Sequence, residues 1–143
     1  MNNVDVVKHL YDRFAQGDGA AILATFDPEI EFRLAEGHPY SPEGELWIGG
    51  EAVAKNFFLK SAGEWEGWAM RVDQIFEVGE TVVVEGRYSG TYTPTGMALD
   101  AQVCHVWRFS EGKVKSFHQY VNTAHLQEIM NKNREREPLA SNS

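Results

Sequence analysis

The dominant hydrophobic period of the chain changes near Trp65, and this change constrains the fold more than any other feature. Before it, apart from a short alternating stretch at residues 30–34, apolar residues recur at the three- and four-residue spacing of helices. After it, apolar and polar residues alternate as they do in half-buried strands. Helices that precede a run of strands predict an α+β fold, because βαβ units would interleave the two periods.

The segment before this change predicts three helices and one strand. Apolar spacing indicates a first helix from Val4 to Phe14, which Gly17 ends. Asp18 has the side chain of an N-cap for a short second helix that reaches Phe26. The other predicted elements are a half-buried strand, a loop rich in glycine and proline and a third helix, at residues 30–34, 36–50 and 51–62.

The segment after the change predicts a meander of four strands. Glycine-containing turns separate these strands, and sequential strands joined by short turns pair antiparallel. Thr123 is the predicted cap of a last short helix that ends at Met130. The strands are expected near residues 66–78, 81–92, 98–109 and 113–121.

One domain over residues 1–130 accounts for all of these elements, and the polar tail at residues 131–143 is predicted to be disordered. A strongly curved sheet wrapped on the helices leaves a conical cavity, which suits a small-molecule site. The chain has four Trp, five Tyr and eight Phe. So many aromatic residues fit either a thick core or an aromatic-lined cavity, and composition leaves both open.

The charge balance argues against two classes of partner. The 21 acidic residues outnumber the 13 basic ones, which gives a net charge of -8. Nucleic acid and anionic membrane surfaces both require a surplus of Lys and Arg. No apolar run approaches the roughly 18 residues of a membrane span. We therefore expect neither nucleic acid nor a membrane as a partner.

The sequence predicts no metal site or cofactor. The single Cys104 excludes an internal disulfide and any CxxC motif, and the five histidines lack paired metal-ligand spacing.

The first residues, Met1 to Asp5, contain neither the basic nor the apolar region of a secretory signal. We therefore expect a cytoplasmic protein.

Short motifs along most of the chain resemble one known family. Residues 10–18 are similar to the "YxxFxxGD" opening of SnoaL-like proteins, and residues 47–53 to their "GxEAV" entry to the third helix. Together these motifs cover about residues 4–130, in the family's order and spacing. The further matching segments are residues 82–88, 95–96, 105–107, 112–114 and 120–124.

The chain thus resembles the SnoaL-like branch of the NTF2-like, or ketosteroid-isomerase-like, superfamily. The resemblance implies a cone of three N-terminal helices on a strongly curved, mainly antiparallel sheet, with a short C-terminal helix. It also implies a pocket, but it does not fix a reaction. The fold hosts isomerases, polyketide cyclases, epoxide hydrolases, dehydratases and scaffolds that catalyse nothing.

His105 is the best single candidate for chemistry. It stands where the resemblance places the protonated Asp of ketosteroid isomerase, one residue before Val106. On a strand it shares one face with Trp107 and Phe109, which resembles a pocket wall. A histidine in a cavity can donate a hydrogen bond or act as an acid or base near neutral pH. A buried histidine with a purely structural bond fits the same position.

The carboxylates of the related enzymes are missing. Cyclases and epoxide hydrolases of the family place an essential Asp on the last strand, but residues 113–123 contain no acid and Asn122 stands at that place. An amide cannot accept a proton as a carboxylate does. The Arg-x-Asp of the epoxide hydrolases aligns with Gly86 and Tyr88, and the isomerase base aligns with Leu34. Epoxide hydrolysis is therefore not expected.

Three other residues have weaker claims. Glu36 lies two residues beyond the aligned base position, and a solvated loop acid explains it better. Tyr11 is one residue from the isomerase tyrosine and is expected to pack the first helix. His38 lies in the loop over the mouth of the cone, where a lid role and plain loop packing are equally compatible with the sequence.

These observations predict a homodimeric protein that binds a small, mostly apolar carbonyl or polyketide-like molecule. The leading function is acid/base catalysis of isomerisation, cyclisation or dehydration, with His105 and Gln119 as the catalytic pair and Gln119 orienting the ligand. The alternative is a ligand-binding or dimerisation scaffold without catalysis. The dimer is expected to form through the outer face of the sheet. The predicted ligand-contacting residues are Trp107, Phe109, Phe117, Val121, Phe32, Leu34, Trp47 and Phe14.

Overall fold

The computed structural model describes residues 2–131, so most of the predicted tail, residues 132–143, lies outside the described residues. Helices pack on a curved six-stranded sheet, and a short helix follows the last strand, which confirms the predicted α+β fold. In chain order the elements are α1 (Asn3–Ala15), α2 (Gly19–Leu23), β1 (Phe26–Arg33), β2 (Leu46–Ile48), α3 (Gly50–Val53), a π-helical turn (Ala54–Phe58), α4 (Leu59–Ser61), β3 (Trp65–Val78), β4 (Thr81–Tyr92), β5 (Met97–Ser110), β6 (Lys113–Val121) and α5 (Thr123–Met130).

The sheet has the strand order β2-β1-β6-β5-β4-β3. Strands β3 to β6 form the predicted antiparallel meander, and β1 adds to its end in parallel with β6. This parallel pairing sets Phe32 beside Phe117, with ring centroids 4.5 Å apart. Residues distant in the sequence therefore meet on the inner face of the sheet.

Two glycines of β4 allow the sheet to bend. The two register shifts of β3 lie opposite Gly90 and Gly86. A Cβ atom on Gly86 would lie 2.2 Å from the carbonyl oxygen of Arg71, so no side chain fits there. Bulges increase local twist and bend a strand, and glycine permits close backbone approach. The long β3–β4 hairpin therefore curls over the helices and forms one wall of the cavity.

The first helix is held at its start and along one face. The Asn2 side chain accepts a hydrogen bond from the Asp5 backbone N–H at 2.8 Å, which caps α1. Val6, Val7 and Leu10 are buried against the sheet. The helix ends before Gly17, which has a φ of +70°, as predicted.

The third helix contains a π-helical turn, which the sequence did not predict. The Leu59 backbone N–H donates to the carbonyl oxygen of Ala54, five residues earlier, instead of four. Within the same turn the Asn56 side chain donates to a backbone carbonyl of the preceding turn at 2.9 Å. Phe57 and Phe58, consecutive in sequence, both line the cavity described below.

The second helix is shorter than predicted. It ends at Leu23, and Phe26 begins β1 instead of extending the helix. Thr25 Oγ1 donates to the Ile22 carbonyl at 2.7 Å and closes the last turn. Phe26 pairs with Val114 of β6 and is buried. Burial in the sheet therefore outweighs the helical spacing of the phenylalanine.

Two further details differ from the sequence predictions. The predicted loop at residues 36–50 contains the short edge strand β2, in which Trp47 lies opposite Phe32 and stacks on it at 6.2 Å. This strand has only one buried residue, so the alternation of buried and exposed residues is too short to predict a strand from the sequence. Asn122, and not Thr123, caps α5, because its side chain accepts from the His125 backbone N–H at 3.2 Å.

Candidate functional site

The helices and the inner face of the sheet enclose a cavity with two adjoining chambers. The outer chamber has a volume of about 480 Å³ and the inner chamber about 180 Å³. The chambers share part of their walls and are therefore direct neighbours. The shared residues are Phe14, Ala15, Ile22, Phe57, Phe58, Trp68, Tyr88 and Gln119.

The structure brings most of the predicted site residues together. His105 and Gln119 line the inner chamber, and Gln119 also borders the outer one. Four predicted wall residues line the inner chamber as well: Phe14, Phe32, Trp107 and Phe117. In β6 the buried Phe117 and Gln119 alternate with the outward His118 and Tyr120, as the strand period requires.

Four predicted ligand contacts line neither chamber: Phe109, Leu34, Trp47 and Val121. Phe109 follows a register shift in β5, and Leu34 is fully buried in the chain. Trp47 stacks behind Phe32, which separates it from the inner chamber. Val121, at the end of β6, packs against the apolar cluster beneath α5 and borders a groove on the outer side of the sheet. The placement of these residues does not support a ligand contact.

His105 is buried, and both of its ring nitrogens are bonded to tyrosines. Nδ1 lies 2.8 Å from the Tyr11 hydroxyl, and Nε2 is hydrogen-bonded to the Tyr88 hydroxyl. Burial lowers the pKa of His105 to about 3, because a charged imidazolium would lose its water. At neutral pH the ring is therefore neutral, and neither nitrogen is free for a ligand. The prediction that a free ring nitrogen of His105 meets the ligand is wrong in this respect.

Each of these tyrosines also accepts a hydrogen bond from a second side chain. Trp107 Nε1 donates to the Tyr11 hydroxyl at 3.0 Å. Gln119 Nε2 donates to the Tyr88 hydroxyl at 3.0 Å. The five side chains form one network across α1, β4, β5 and β6, which we call the Tyr-His-Tyr network.

A count of protons shows that one tyrosine hydroxyl of this network has no acceptor for its own proton. A neutral imidazole carries a single N–H, so it donates to one tyrosine and accepts from the other. The tyrosine that receives the histidine N–H already accepts from Trp107 or Gln119. With the Gln119 amide oriented as it is in the structure, Nε2 toward Tyr88, that tyrosine's own O–H therefore has no acceptor within the network, whichever tautomer His105 adopts. In this orientation one phenolic proton remains for a ligand.

The tyrosines are held in the neutral form that donates. Burial raises the pKa of Tyr88 above its usual range, since a phenolate would be poorly solvated there. The pKa of Tyr11 is raised for the same reason. Tyr88 borders both chambers, whereas Tyr11 borders only the inner one. Tyr88 is therefore the only one of these two tyrosines that borders the larger chamber.

Gln119 presents an acceptor with no partner of its own. The residue is 2% exposed, and its Oε1 is buried without a hydrogen-bond partner among the described residues. Its Nε2 already donates a hydrogen bond to the Tyr88 hydroxyl. A buried polar atom without a partner is costly, and such atoms in native structures call for an explanation.

The predicted loop residues His38 and Tyr40 line the outer chamber. The Tyr40 backbone N–H donates to His38 Nδ1 at 3.1 Å, so the neutral ring carries its proton on Nε2. Burial lowers the pKa of His38 to about 4. The Tyr40 hydroxyl donates to Glu64 and accepts from Trp65 Nε1 at 3.2 Å. These contacts fix the loop at the mouth of the cavity.

No carboxylate lines either chamber among residues 2–131. Glu36 is exposed, as expected for a solvated loop acid. Asn122, at the aligned position of the family's aspartate, caps α5 and borders the groove on the outer side of the sheet. The polar side chains of the cavity are therefore phenols, imidazoles, indoles, one amide and the Ser61 hydroxyl.

Tyr11 and Tyr88 are functional candidates to which the sequence assigned no role in the site: Tyr11 was expected to pack the first helix, and Tyr88 was considered only as the position of a missing aspartate. Tyr11 lies beside Leu10 on the apolar side of α1, where packing accounts for it equally well. Tyr88 continues the inward alternation of Val82, Val84 and Gly86. That alternation could have predicted that Tyr88 points into the cavity. Only the pairing of β4 with β5, however, brings the Tyr88 hydroxyl to His105.

Two classes of feature are absent from the described part of the chain. Residues 2–131 contain no group of three or more His, Cys, Asp or Glu side chains placed to hold a metal ion. None of the helices in that range is both long enough and apolar enough to span a bilayer.

Residues 7–117 match the sequence profile of the SnoaL-like domain. No curated protein matches the chain in sequence. Among solved structures, an NTF2-like protein from Burkholderia thailandensis is 31% identical, with a TM-score of 0.81 over 91% of this chain and 98% of that chain.

Two further solved structures have similar folds. An NTF2-like protein of unknown function from Burkholderia pseudomallei is 25% identical, with a TM-score of 0.81 over 90% of this chain and 97% of that chain. TerC, co-crystallised with polyporic acid, is 23% identical, with a TM-score of 0.79 over 90% of this chain and 98% of that chain. The likeness to TerC concerns the fold alone.

Proposed function

The chain belongs to the SnoaL-like domain family, and on that premise we propose that it binds a small, apolar carbonyl compound and acts on it by acid/base chemistry. The reactions that suit such a site are isomerisation, cyclisation and dehydration, all of which pass through an enol or enolate. The observation that carries the proposal is the Tyr-His-Tyr network, which leaves one tyrosine O–H without an acceptor in a cavity with largely aromatic and aliphatic walls.

A carbonyl oxygen is the group that this proton would meet. The cavity walls are largely aromatic and aliphatic, which favours an apolar ligand body. When His105 carries its proton on Nε2, the Tyr88 hydroxyl accepts from both His105 and Gln119 and donates into the cavity. Negative charge that develops on the carbonyl oxygen would be stabilised by this preorganised donor.

His105 is a positioning residue in this proposal. It contacts the two tyrosines rather than the ligand, and its tautomer decides which hydroxyl is free. The depressed pKa of His105 keeps the ring neutral, so that it can accept one hydrogen bond and donate the other. A charged imidazolium would donate to both tyrosines, so its protonation state could no longer leave just one tyrosine O–H free.

A ligand-binding function without catalysis is the second candidate. The observation that favours it is the lack of a carboxylate among the described residues of the cavity walls, since abstraction of a carbon-bound proton requires a base. TerC of the same fold was co-crystallised with polyporic acid, which supports small-molecule binding as the common element of both candidates.

Two measurements separate the candidates. Binding of a panel of aryl ketones is followed by quenching of tryptophan fluorescence, because Trp68 and Trp107 line the inner chamber. Proton NMR in D2O then follows replacement of the α-hydrogens of each bound ketone by deuterium, which reports enolisation. Binding with exchange above the buffer rate supports the enzyme, and binding without it supports the binder. Failure of every ketone to bind would refute the proposed ligand class.

We also propose a cytoplasmic homodimer that pairs through the outer sheet face, with residues 1–130 as a single domain. Tyr120 and Phe76, both on the outer face, are 50% and 44% exposed. A two-fold contact would cover such apolar surface. Sedimentation should give twice the 16.1 kDa chain mass for the wild type and a lighter species for Tyr120→Glu. A wild-type monomer at micromolar concentration would contradict the dimer.

A further inference from the structure

The outer chamber has an aromatic wall whose chemistry the carbonyl site does not use. Its rings are partly exposed, so a molecule in the chamber can contact them. We infer that this wall binds a tertiary or quaternary alkylammonium group. The subsite adds to the carbonyl contact at Tyr88 and does not depend on it. The partly exposed aromatic side chains of the wall are Phe14, Tyr40, Phe57, Phe58, Trp65 and Trp68.

The rings of this wall meet at steep angles, so they form corners and not a flat stack. The ring centroids of Trp65 and Trp68 are 5.1 Å apart, with an interplanar angle of 71°. Those of Phe14 and Trp68 are 6.5 Å apart, at 64°. A cation is attracted to the face of an aromatic ring within about 6 Å of its centroid, and aromatic cages recognise quaternary ammonium groups in this way. A small cation in such a corner contacts rings on more than one side.

A carboxylate lies behind two of these rings. Trp65 Nε1 donates to the Tyr40 hydroxyl at 3.2 Å, and the Tyr40 hydroxyl donates to the Glu64 carboxylate. Burial, together with the bond to Glu64, raises the pKa of Tyr40 above its usual range, so the phenol keeps its proton and the negative charge stays on Glu64. Hydrogen bonds in a chain polarise one another. The charge of Glu64 therefore raises the electron density of both rings, which strengthens their attraction for a cation.

No positive charge of the protein competes for this wall in the part of the chain that the structure describes. Neither Lys nor Arg lines the outer chamber within residues 2–131. Burial lowers the pKa of His38, which does line it, to about 4, so the imidazole is neutral near pH 7. The net charge of -8 favours the approach of a cation. An anionic ligand, by contrast, would find no opposite charge here.

A neutral alkyl group of the same shape would also fit an aromatic wall, so the test compares choline with 3,3-dimethylbutan-1-ol. The two compounds have the same shape, and only choline carries a charge. Dissociation constants are measured with the full chain by ligand-detected NMR. The wild type should bind choline about fivefold to thirtyfold more tightly than the neutral alcohol, the ratio that one desolvated cation–π contact supplies.

Three variants assign this preference to the wall. Glu64→Gln removes the charge, keeps an acceptor for the Tyr40 hydroxyl and should lower the preference for choline by about threefold. Trp68→Leu removes a ring and should bring the ratio of the two affinities close to one. Glu66→Gln is the matched control, because it removes the same charge from an exposed side chain that lines neither chamber. It should leave the preference unchanged.

The outcomes distinguish this inference from the proposed function. Equal affinity of the wild type for the two compounds, or binding of neither, overturns the ammonium subsite. A preference that persists unchanged in both Glu64→Gln and Trp68→Leu, or one that falls equally in Glu64→Gln and Glu66→Gln, overturns it as well. None of these results affects the carbonyl site, which the ketone measurements test separately. Failure of every ketone to bind would likewise leave the ammonium subsite standing.

Discussion

Replacement of Tyr88 by phenylalanine tests the Tyr-His-Tyr network most directly. The substitution removes one oxygen, which bonds His105 Nε2 and accepts from Gln119 Nε2 at 3.0 Å. Both partners are buried, and each is left with an unpaired polar atom. An unpaired buried group costs about 1–3 kcal/mol, so we expect the free energy of unfolding to fall by about 2–5 kcal/mol.

Tyr11→Phe is the matched control, because it also removes an oxygen with two partners, His105 Nδ1 and Trp107 Nε1. Its effect on stability should be similar. Its effect on the ligand should differ, since Tyr11 does not border the outer chamber. Without Tyr11, His105 can hold its proton on Nε2 and leave the Tyr88 proton free for the ligand.

Urea unfolding measures the first effect, and ketone titration with α-hydrogen exchange measures the second. Tyr88→Phe should weaken ketone binding by about tenfold and, for an enzyme, slow exchange by about 10²–10³-fold, the usual loss for one oxyanion donor. Tyr11→Phe should keep affinity within about threefold of the wild type. Equal losses in the two variants, or wild-type binding by Tyr88→Phe, would refute the assignment of the free donor to Tyr88.

Two further predictions concern pH and the bend of the sheet. The pKa of His38 is lowered to about 4 and that of His105 to about 3, so below about pH 6.5 the unfolded chain binds protons that the folded chain does not, and stability falls as the pH drops through this window. Thermal unfolding of His38→Gln should show a pH slope shallower by about 1.4 kcal/mol per unit between pH 6 and 5, and an unchanged slope would contradict the burial of a neutral His38. Gly86→Ala should destabilise the fold by more than about 3 kcal/mol, because its Cβ would lie 2.2 Å from a backbone oxygen of β3. Gly96→Ala is the control, because Gly96 has a φ of +72° and no atom within 4 Å of the new Cβ. It should lower the free energy of unfolding by only about 1 kcal/mol, with urea unfolding as the measurement for both glycine variants. Equal losses in the two variants would show that close packing is not the reason for glycine at position 86.

The sequence predicted the fold well because period and turn chemistry are local signals. The four-stranded meander and the order of helices and strands follow from alternation and from glycine-rich turns. Phe26 was misassigned because its helical spacing was visible while its partner Val114 lies far along the chain. The strand around Trp47 was missed because it pairs only through three residues at the sheet edge.

The candidate site was only partly predictable, for a related reason. Strand alternation placed His105 and Gln119 on the inner face, which the structure supports. The hydrogen-bond partners of His105 depend on the register of β4 against β5 and on the packing of α1, and neither is encoded by spacing within one segment. A tyrosine on an apolar helix face gives no sign that its hydroxyl will meet a histidine 94 residues away.

A change in the π-helical turn at Ala54–Phe58 would alter ligand selectivity without a substitution in the Tyr-His-Tyr network. A π turn contains one residue more than the α-helical turn it replaces, and such turns are frequent at functional sites. Deletion of Asn56 would restore a regular helix and rotate the residues on one side of the deletion by about 100° relative to the other, since a turn takes 3.6 residues. Phe57 and Phe58 could then no longer both face the cavity. The number of residues in this helix thus decides how many phenylalanines line the cavity. Insertion or loss of a single codon would therefore change ketone selectivity in one step. The affinities of the deletion variant for small and large ketones would measure this change.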